Sequence, residues 1–128
     1  MEEMFNEFNF NDAPSRIVDE VCGLKLPLDY IEFMKKHNGG EGAIGKNNYG
    51  MLYKLEELEA VNKDYDVQNS WPGYVVIGSN MGGCFWAYNP SKKIYCQIDN
   101  TNIDEDTYYT ISNSFESFLR EMDKELDI

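Results

Sequence analysis

The chain has 128 residues, 42% of them apolar and 27% charged, which is typical of one globular domain covering residues 1–128. Its longest unbroken apolar run, Cys84 to Tyr88, is five residues long, far short of the roughly 20 that a membrane-spanning helix needs. The acidic start has no cationic segment of the kind that opens a secretory signal. The sequence therefore predicts a cytoplasmic protein that does not bind membranes.

The formal net charge of −12 is unevenly distributed. Residues 1–20 hold six acids and one base, residues 21–98 hold eight of each, and residues 99–128 hold nine acids and two bases. An acidic surface repels nucleic acid and attracts basic proteins. We therefore expect a basic protein partner and no nucleic acid. The alternative is that the charge serves solubility alone.

The predicted elements begin with a helix from Asp12 or Ala13 to Gly23, because apolar residues recur at positions 17, 18, 21 and 22. A second helix starts at Pro27, has apolar or aromatic residues at positions 30, 33, 34 and 37, and ends at the sequence Asn38-Gly39-Gly40. Tyr49–Lys54 is predicted to be a strand. A short helix then runs from position 55 into the polar stretch 62–69.

Three further strands are predicted in the second half, at 74–79, 84–89 and 94–99, and another at 108–111. A closing helix starts at Asn113, with an apolar stripe at positions 115, 118, 119, 122 and 126. The expected fold class is α+β. It comprises a mainly antiparallel sheet of four to six strands backed by helices, with two N-terminal helices and one C-terminal helix.

The hairpin around Asn89-Pro90-Ser91-Lys92-Lys93 predicts which side chains share a face. With a loop of two or four residues, Phe85 and Ala87 lie on the face of Ile94, Cys96 and Ile98. The opposite face then carries Cys84, Trp86, Tyr88, Tyr95 and Gln97. The first face is an ordinary core, and the second is aromatic with polar groups.

The three cysteines, Cys22, Cys84 and Cys96, are odd in number and lack a CxxC pair, which fits a reducing compartment. Cys84 and Cys96 point to opposite predicted faces, so we expect all three to be unbridged. With His37 as the only histidine and no paired spacing, we expect no metal site.

Two motifs suggest ligands, but neither has the required context. Gly40–Gly45 matches GxGxxG, yet a predicted helix precedes it and a strand follows, whereas phosphate binding needs the reverse. The run from Asp99 to Asp106 resembles a calcium loop in composition but lacks the glycine at position 6. His37 lies on the apolar stripe of a helix, which favours packing over catalysis. No cofactor and no catalytic residue are predicted.

Several short segments follow one another in a recognisable order: LPLDYIEFMKKHNGGEG, LEELEAVNKDY, PGYVVIGSNMGG and SFESFL. Their order and spacing resemble the SUKH superfamily, and the similarity covers about residues 14–122. The superfamily groups fungal cell-wall-synthesis regulators with bacterial immunity proteins. The resemblance implies a sheet backed by helices and no enzymatic activity. In the turn, relatives often have Asp and a third Gly with Glu after it, and here Met81 and Cys84 stand instead.

The expected function is therefore that of a bacterial immunity-type protein, which binds and neutralises a cognate polymorphic toxin domain, such as a basic nuclease. A regulatory or scaffold protein of the same family is one alternative, and a small hydrolase using His37 is another. The hypothetical partner surface has an aromatic centre and an acidic border. Its residues are Asp64, Asp66, Trp86, Tyr88, Tyr95, Asp99, Asp104, Glu105 and Asp106.

Overall fold

The fold is α+β, and a computed structural model describes it over residues 1–99 and 108–125. Two short 3-10 turns, at Glu2–Phe5 and Leu55–Glu57, accompany the other elements. In chain order these elements are β1 (Phe8–Phe10), β2 (Glu20–Val21), β3 (Leu24–Lys25), α1 (Leu28–His37), β4 (Gly40–Ile44), β5 (Asn48–Leu52), α2 (Leu58–Asp64), α3 (Val67–Ser70), β6 (Val75–Ser79), β7 (Cys84–Asn89), β8 (Ile94–Asp99), β9 (Tyr109–Ser112) and α4 (Phe115–Glu125).

Among the described residues, seven strands form one antiparallel sheet in the order β1-β4-β5-β6-β7-β8-β9, and β2 pairs with β3 separately. Side chains of α1 and α4 pack on one face of the sheet, and those of α3 pack on the other. The described sheet thus has more strands than the four to six expected. The described part has four α-helices, of which α2 and α3 lie where the sequence predicted one short helix from position 55.

The predicted first helix is wrong, because residues 12–23, all of them described, form no helix. Val21 instead pairs with Leu24 across a turn in which Cys22 and Gly23 have φ values of 51° and 79°. Two successive residues with positive φ form the kind of turn that closes a two-residue hairpin. Gly23 therefore turns a hairpin instead of ending a helix.

Two strands of the sheet, β1 and β4, lie where the sequence predicted none. Phe8 to Phe10 pairs antiparallel with Gly42 to Gly40. Gly40 has a φ of 146°, and a Cβ atom there would collide with the carbonyl oxygen of Asn9. The glycines of β4 therefore allow the close approach of β1, which adds an edge strand to the sheet.

The other principal predictions are confirmed. Helix α1 begins directly after Pro27 and ends at His37. Strands β7 and β8 pair with Phe85 opposite Ile98 and Tyr88 opposite Tyr95, as a four-residue loop requires. Helix α4 buries the predicted stripe at positions 115, 118, 119 and 122, whereas position 126 lies outside the described residues.

Candidate partner-binding surface

The predicted aromatic face belongs to the core. Trp86 is 0% exposed, and Tyr88 and Tyr95 are also buried. The indole of Trp86 fills the space above Gly50 and Gly78, where an added Cβ would collide with the ring. All three belong to the core cluster that also contains side chains of α1 and α4, and the ring of Tyr95 contacts Phe115 and Phe118 of α4. The expectation that they form an exposed partner-binding centre is therefore wrong.

The polar group of Tyr95 serves to join two helices. Its hydroxyl donates a hydrogen bond to Oδ1 of Asp29 in α1 at 2.7 Å. Oδ2 of Asp29 accepts the backbone N–H of Phe115, the first residue of α4, at 2.8 Å. Burial and the Asp29 carboxylate both raise the pKa of Tyr95. This tyrosine therefore stabilises the packing of α1 and α4 and offers no hydroxyl to a partner.

The described residues of the predicted acidic border lie in separate parts of the structure. Asp64 and Asp66 are exposed and flank Tyr65 at the junction of α2 and α3, so they do not surround Trp86. Asp99 is half-buried at the end of β8, opposite Cys84. Asp104, Glu105 and Asp106 lie outside the described residues.

A different part of the sheet presents an uncovered face. In β1, β4 and β5, one set of side chains faces the helices and the alternate set is exposed or half-buried. We call the exposed and half-buried side the open face. It also includes Tyr53, which follows β5, and Tyr65, which lies beside Tyr53. Its residues are Asn9, Glu41, Ala43, Tyr49, Met51, Tyr53 and Tyr65. None of the sequence predictions includes this face, although Tyr49, Met51 and Tyr53 alternate with Gly50 and Leu52 as the exposed side of a strand does.

Contacts within the open face fix the positions of its tyrosines. The hydroxyl of Tyr49 donates a hydrogen bond to Oε2 of Glu41 at 3.3 Å. Partial burial and the neighbouring Tyr65 hydroxyl raise the pKa of Tyr53. A cavity of about 390 Å³ lies beside these groups and is lined partly by Glu41, Met51 and Tyr53.

Histidine 37 is packed, as the sequence predicted. Its ring stacks on Phe10 with centroids 4.0 Å apart, and its Nε2 lies 3.0 Å from a carboxylate oxygen of Glu2. Within residues 1–99 and 108–125, no group of three or more His, Cys, Asp or Glu side chains is placed to hold a metal ion. The three cysteines are unbridged, as predicted.

The glycine motif at positions 40–45 forms β4 and a turn instead of a phosphate-binding loop. The backbone N–H groups of Lys46 and Asn47 donate to Oδ1 of Asp123 at 3.0 and 2.7 Å. A carboxylate from α4 therefore occupies the anion-binding amides of this turn.

No helix in the described parts of the chain is long and apolar enough to span a membrane.

Comparisons with known proteins agree with the resemblance. The model of the SMI1 / KNR4 family (SUKH-1) matches residues 16–121, which is most of the chain and every element from β2 to β9. The protein named "Uncharacterized protein YnaB" of Bacillus subtilis (strain 168) is 32% identical over 80 residues. That match covers 59% of this chain and 51% of the relative, so the chain spans about half the length of this curated relative.

Proposed function

The chain belongs to the SMI1 / KNR4 (SUKH-1) family, and from this premise we propose that it is a non-enzymatic, cytoplasmic immunity-type protein. In this role it binds a cognate toxin domain and blocks that domain's activity. The partner we propose is a basic protein, such as a nuclease domain of a polymorphic toxin.

The observation that carries the proposal is the charge of the chain. The formal net charge is −12 on 128 residues. A nuclease domain needs a positive surface to hold the phosphates of its substrate. An acidic protein complementary to that surface associates quickly and competes with the nucleic acid.

The packing of His37 supports a binding role over hydrolysis. A general base needs a ring nitrogen within reach of a nucleophile and of substrate. Here the imidazole ring stacks on Phe10, and its Nε2 faces Glu2. A hydrolase would have to use this sole histidine for any Ser–His or Cys–His chemistry.

Co-expression in bacteria with candidate toxin domains, taken first from the open reading frames beside this gene, tests the proposal. We expect wild-type protein to restore growth and to form a stable complex with the purified toxin. The control is the Trp86→Ala variant, which we expect to be destabilised and to give less protection at equal expression. Growth that is not restored, together with the absence of a complex, would contradict the immunity role and favour the regulatory alternative.

A further inference from the structure

The open face is continuous from β1 through β4 and β5 to the edge of β6. The strand registers place Asn9 opposite Glu41, Glu41 opposite Met51, and Met51 opposite Ser79. Ser79 in turn lies opposite Phe85, whose ring meets Tyr65 edge-on at 4.9 Å between centroids. Neighbouring strands are about 4.8 Å apart. This row of side chains therefore runs roughly 15 Å from the edge strand to the place where α3 begins to cover the sheet.

The apolar content of this face is high for an exposed surface. Tyr49 and Tyr65 are each 52% exposed. Met51 and Tyr53 are half-buried between them. Tyrosine is enriched among the residues that dominate the energy of protein–protein interfaces, because it combines a large ring with a polar hydroxyl.

The charges around this face are mostly acidic, although residues 21–98 are neutral as a whole. Glu41, Glu57, Asp64 and Asp66 are all exposed on or beside it. The exposed bases at this place are Lys54 and Lys46, which borders the face beside Ala43, and the nearby Lys63 is paired with Glu59 at 3.4 Å. Other lysines lie elsewhere, at positions 35 and 36 of α1 and at 92 and 93 in the turn between β7 and β8.

We propose that the open face is the docking surface for a basic protein, whose Arg and Lys side chains lie over the rings of Tyr49 and Tyr65 and pair with Glu41 and Asp64. That the partner is a toxin domain rests on the proposed function above. The match between this acidic, aromatic surface and a basic protein does not depend on the partner being a toxin. Cations bind the faces of aromatic rings, and surrounding carboxylates speed association and orient the partner.

Deca-arginine peptide is the probe for this surface, and its binding can be followed by amide shifts in NMR spectra and by titration at low salt. We expect shifts at positions 41–53 and 64–66. The double variant Glu41→Lys and Asp64→Lys should lower the affinity about tenfold, with a smaller loss at high salt. The matched control is Asp19→Lys with Glu32→Lys, which makes the same charge change on exposed sites away from this face and should lower the affinity less than threefold.

The tyrosine rings have their own test. Tyr49→Ala with Tyr65→Ala should weaken deca-arginine binding about three- to tenfold, whereas Tyr49→Phe with Tyr65→Phe keeps the rings and should leave it within about twofold. Equal losses for the two charge variants would overturn the proposal. So would shifts confined to residues 1–20, or no measurable binding.

The toxin experiment separates this inference from the proposed function. If deca-arginine binds the open face but wild-type protein fails to protect cells, the docking surface stands and the immunity role fails. If wild-type protein protects cells, and the Glu41→Lys, Asp64→Lys variant binds the toxin with unchanged affinity, the immunity role stands and this docking surface is wrong.

Discussion

The two halves of the sheet differ in how they are covered. Strands β6, β7 and β8 have buried side chains on both faces, because their alternate residues enter two separate core clusters. Strands β1, β4 and β5 enter a core cluster on one face only, and their other side chains are exposed or half-buried. One antiparallel sheet thus combines a fully enclosed half with a half that has a free surface.

This difference separates the residues that stabilise the fold from those of the proposed docking surface. The enclosed half buries large rings such as Trp86 and Phe85, and burial of apolar surface is the main favourable term in folding. The open half exposes Tyr49 and Tyr65 to solvent, so their substitution costs little folding energy. A surface of this kind can vary in composition while the fold stays intact.

Trp86→Ala should show the largest effect, because it removes a fully buried ring from the enclosed half. We expect the free energy of unfolding to fall by about 3–5 kcal/mol, with a drop in melting temperature of roughly 10 °C or more. Trp86→Phe is the matched control. The indole Nε1 is buried without a hydrogen-bond partner among the described residues, so this change loses volume but no hydrogen bond. A Trp86→Ala protein that melts like wild type would refute the assignment of Trp86 to the core.

Asn62→Ala tests how α2 is joined to the enclosed half. The buried Asn62 side chain accepts the N–H of Val76 at 2.8 Å and donates to the carbonyl oxygen of Val76 at 2.9 Å. Its loss leaves two buried backbone groups unpaired, and we expect a destabilisation of about 2–3 kcal/mol in urea unfolding. Asn69→Ala, at an exposed asparagine of α3, should cost much less. If the two variants lose the same free energy of unfolding, the hydrogen bonds to Val76 contribute nothing specific to stability.

Much of the enclosed half could be predicted from the sequence. The prediction of which side chains share a face was correct for the strands at 84–89 and 94–99. It followed from the even number of residues in the loop between them, because side chains in a strand alternate with a period of two. The burial of both faces could not be predicted. Both faces are apolar, so the pattern does not reveal that α1 and α4 cover the side of Trp86 while α3 covers the side of Phe85.

The open half was harder to predict. Strand β4 contains glycine at positions 40 and 42, and this residue type weakens strand propensity although here it admits β1. Strand β1 has only three residues, too few for a periodic signal. The average charge of residues 21–98 also concealed the acidic border, because the lysines and the carboxylates lie on different parts of the surface.

Glu56→Gln should have a smaller, pH-dependent effect, since Glu56 joins the N-terminal segment to the rest of the fold. Its carboxylate accepts hydrogen bonds from Asn38 at 2.7 Å and from the Ser15 N–H and hydroxyl at 3.1 and 3.0 Å. These bonds, that from Asn38 above all, lower the pKa of Glu56 from 4.5 to about 2.

A carboxyl group with a lowered folded-state pKa stabilises the fold above its unfolded pKa and loses that contribution as the pH falls. We therefore expect Glu56→Gln to flatten the pH dependence of stability between about pH 4.5 and pH 2, measured by urea unfolding across this range. Glu57→Gln, which changes the adjacent exposed carboxylate, is the control. The same slope in wild type and in Glu56→Gln would contradict the assignment.

Tyr49→Ala should have the smallest effect on folding, and for that reason it tests the comparison most directly. The side chain is 52% exposed, and its hydroxyl makes one 3.3 Å hydrogen bond to the exposed Glu41. We expect the free energy of unfolding to change by less than about 1 kcal/mol, against about 3–5 kcal/mol for Trp86→Ala. Thermal melting of the two variants side by side measures the contrast. A Tyr49→Ala loss as large as that of Trp86→Ala would mean that the open half also carries the stability of the fold, and its tyrosines could then not be assigned to recognition.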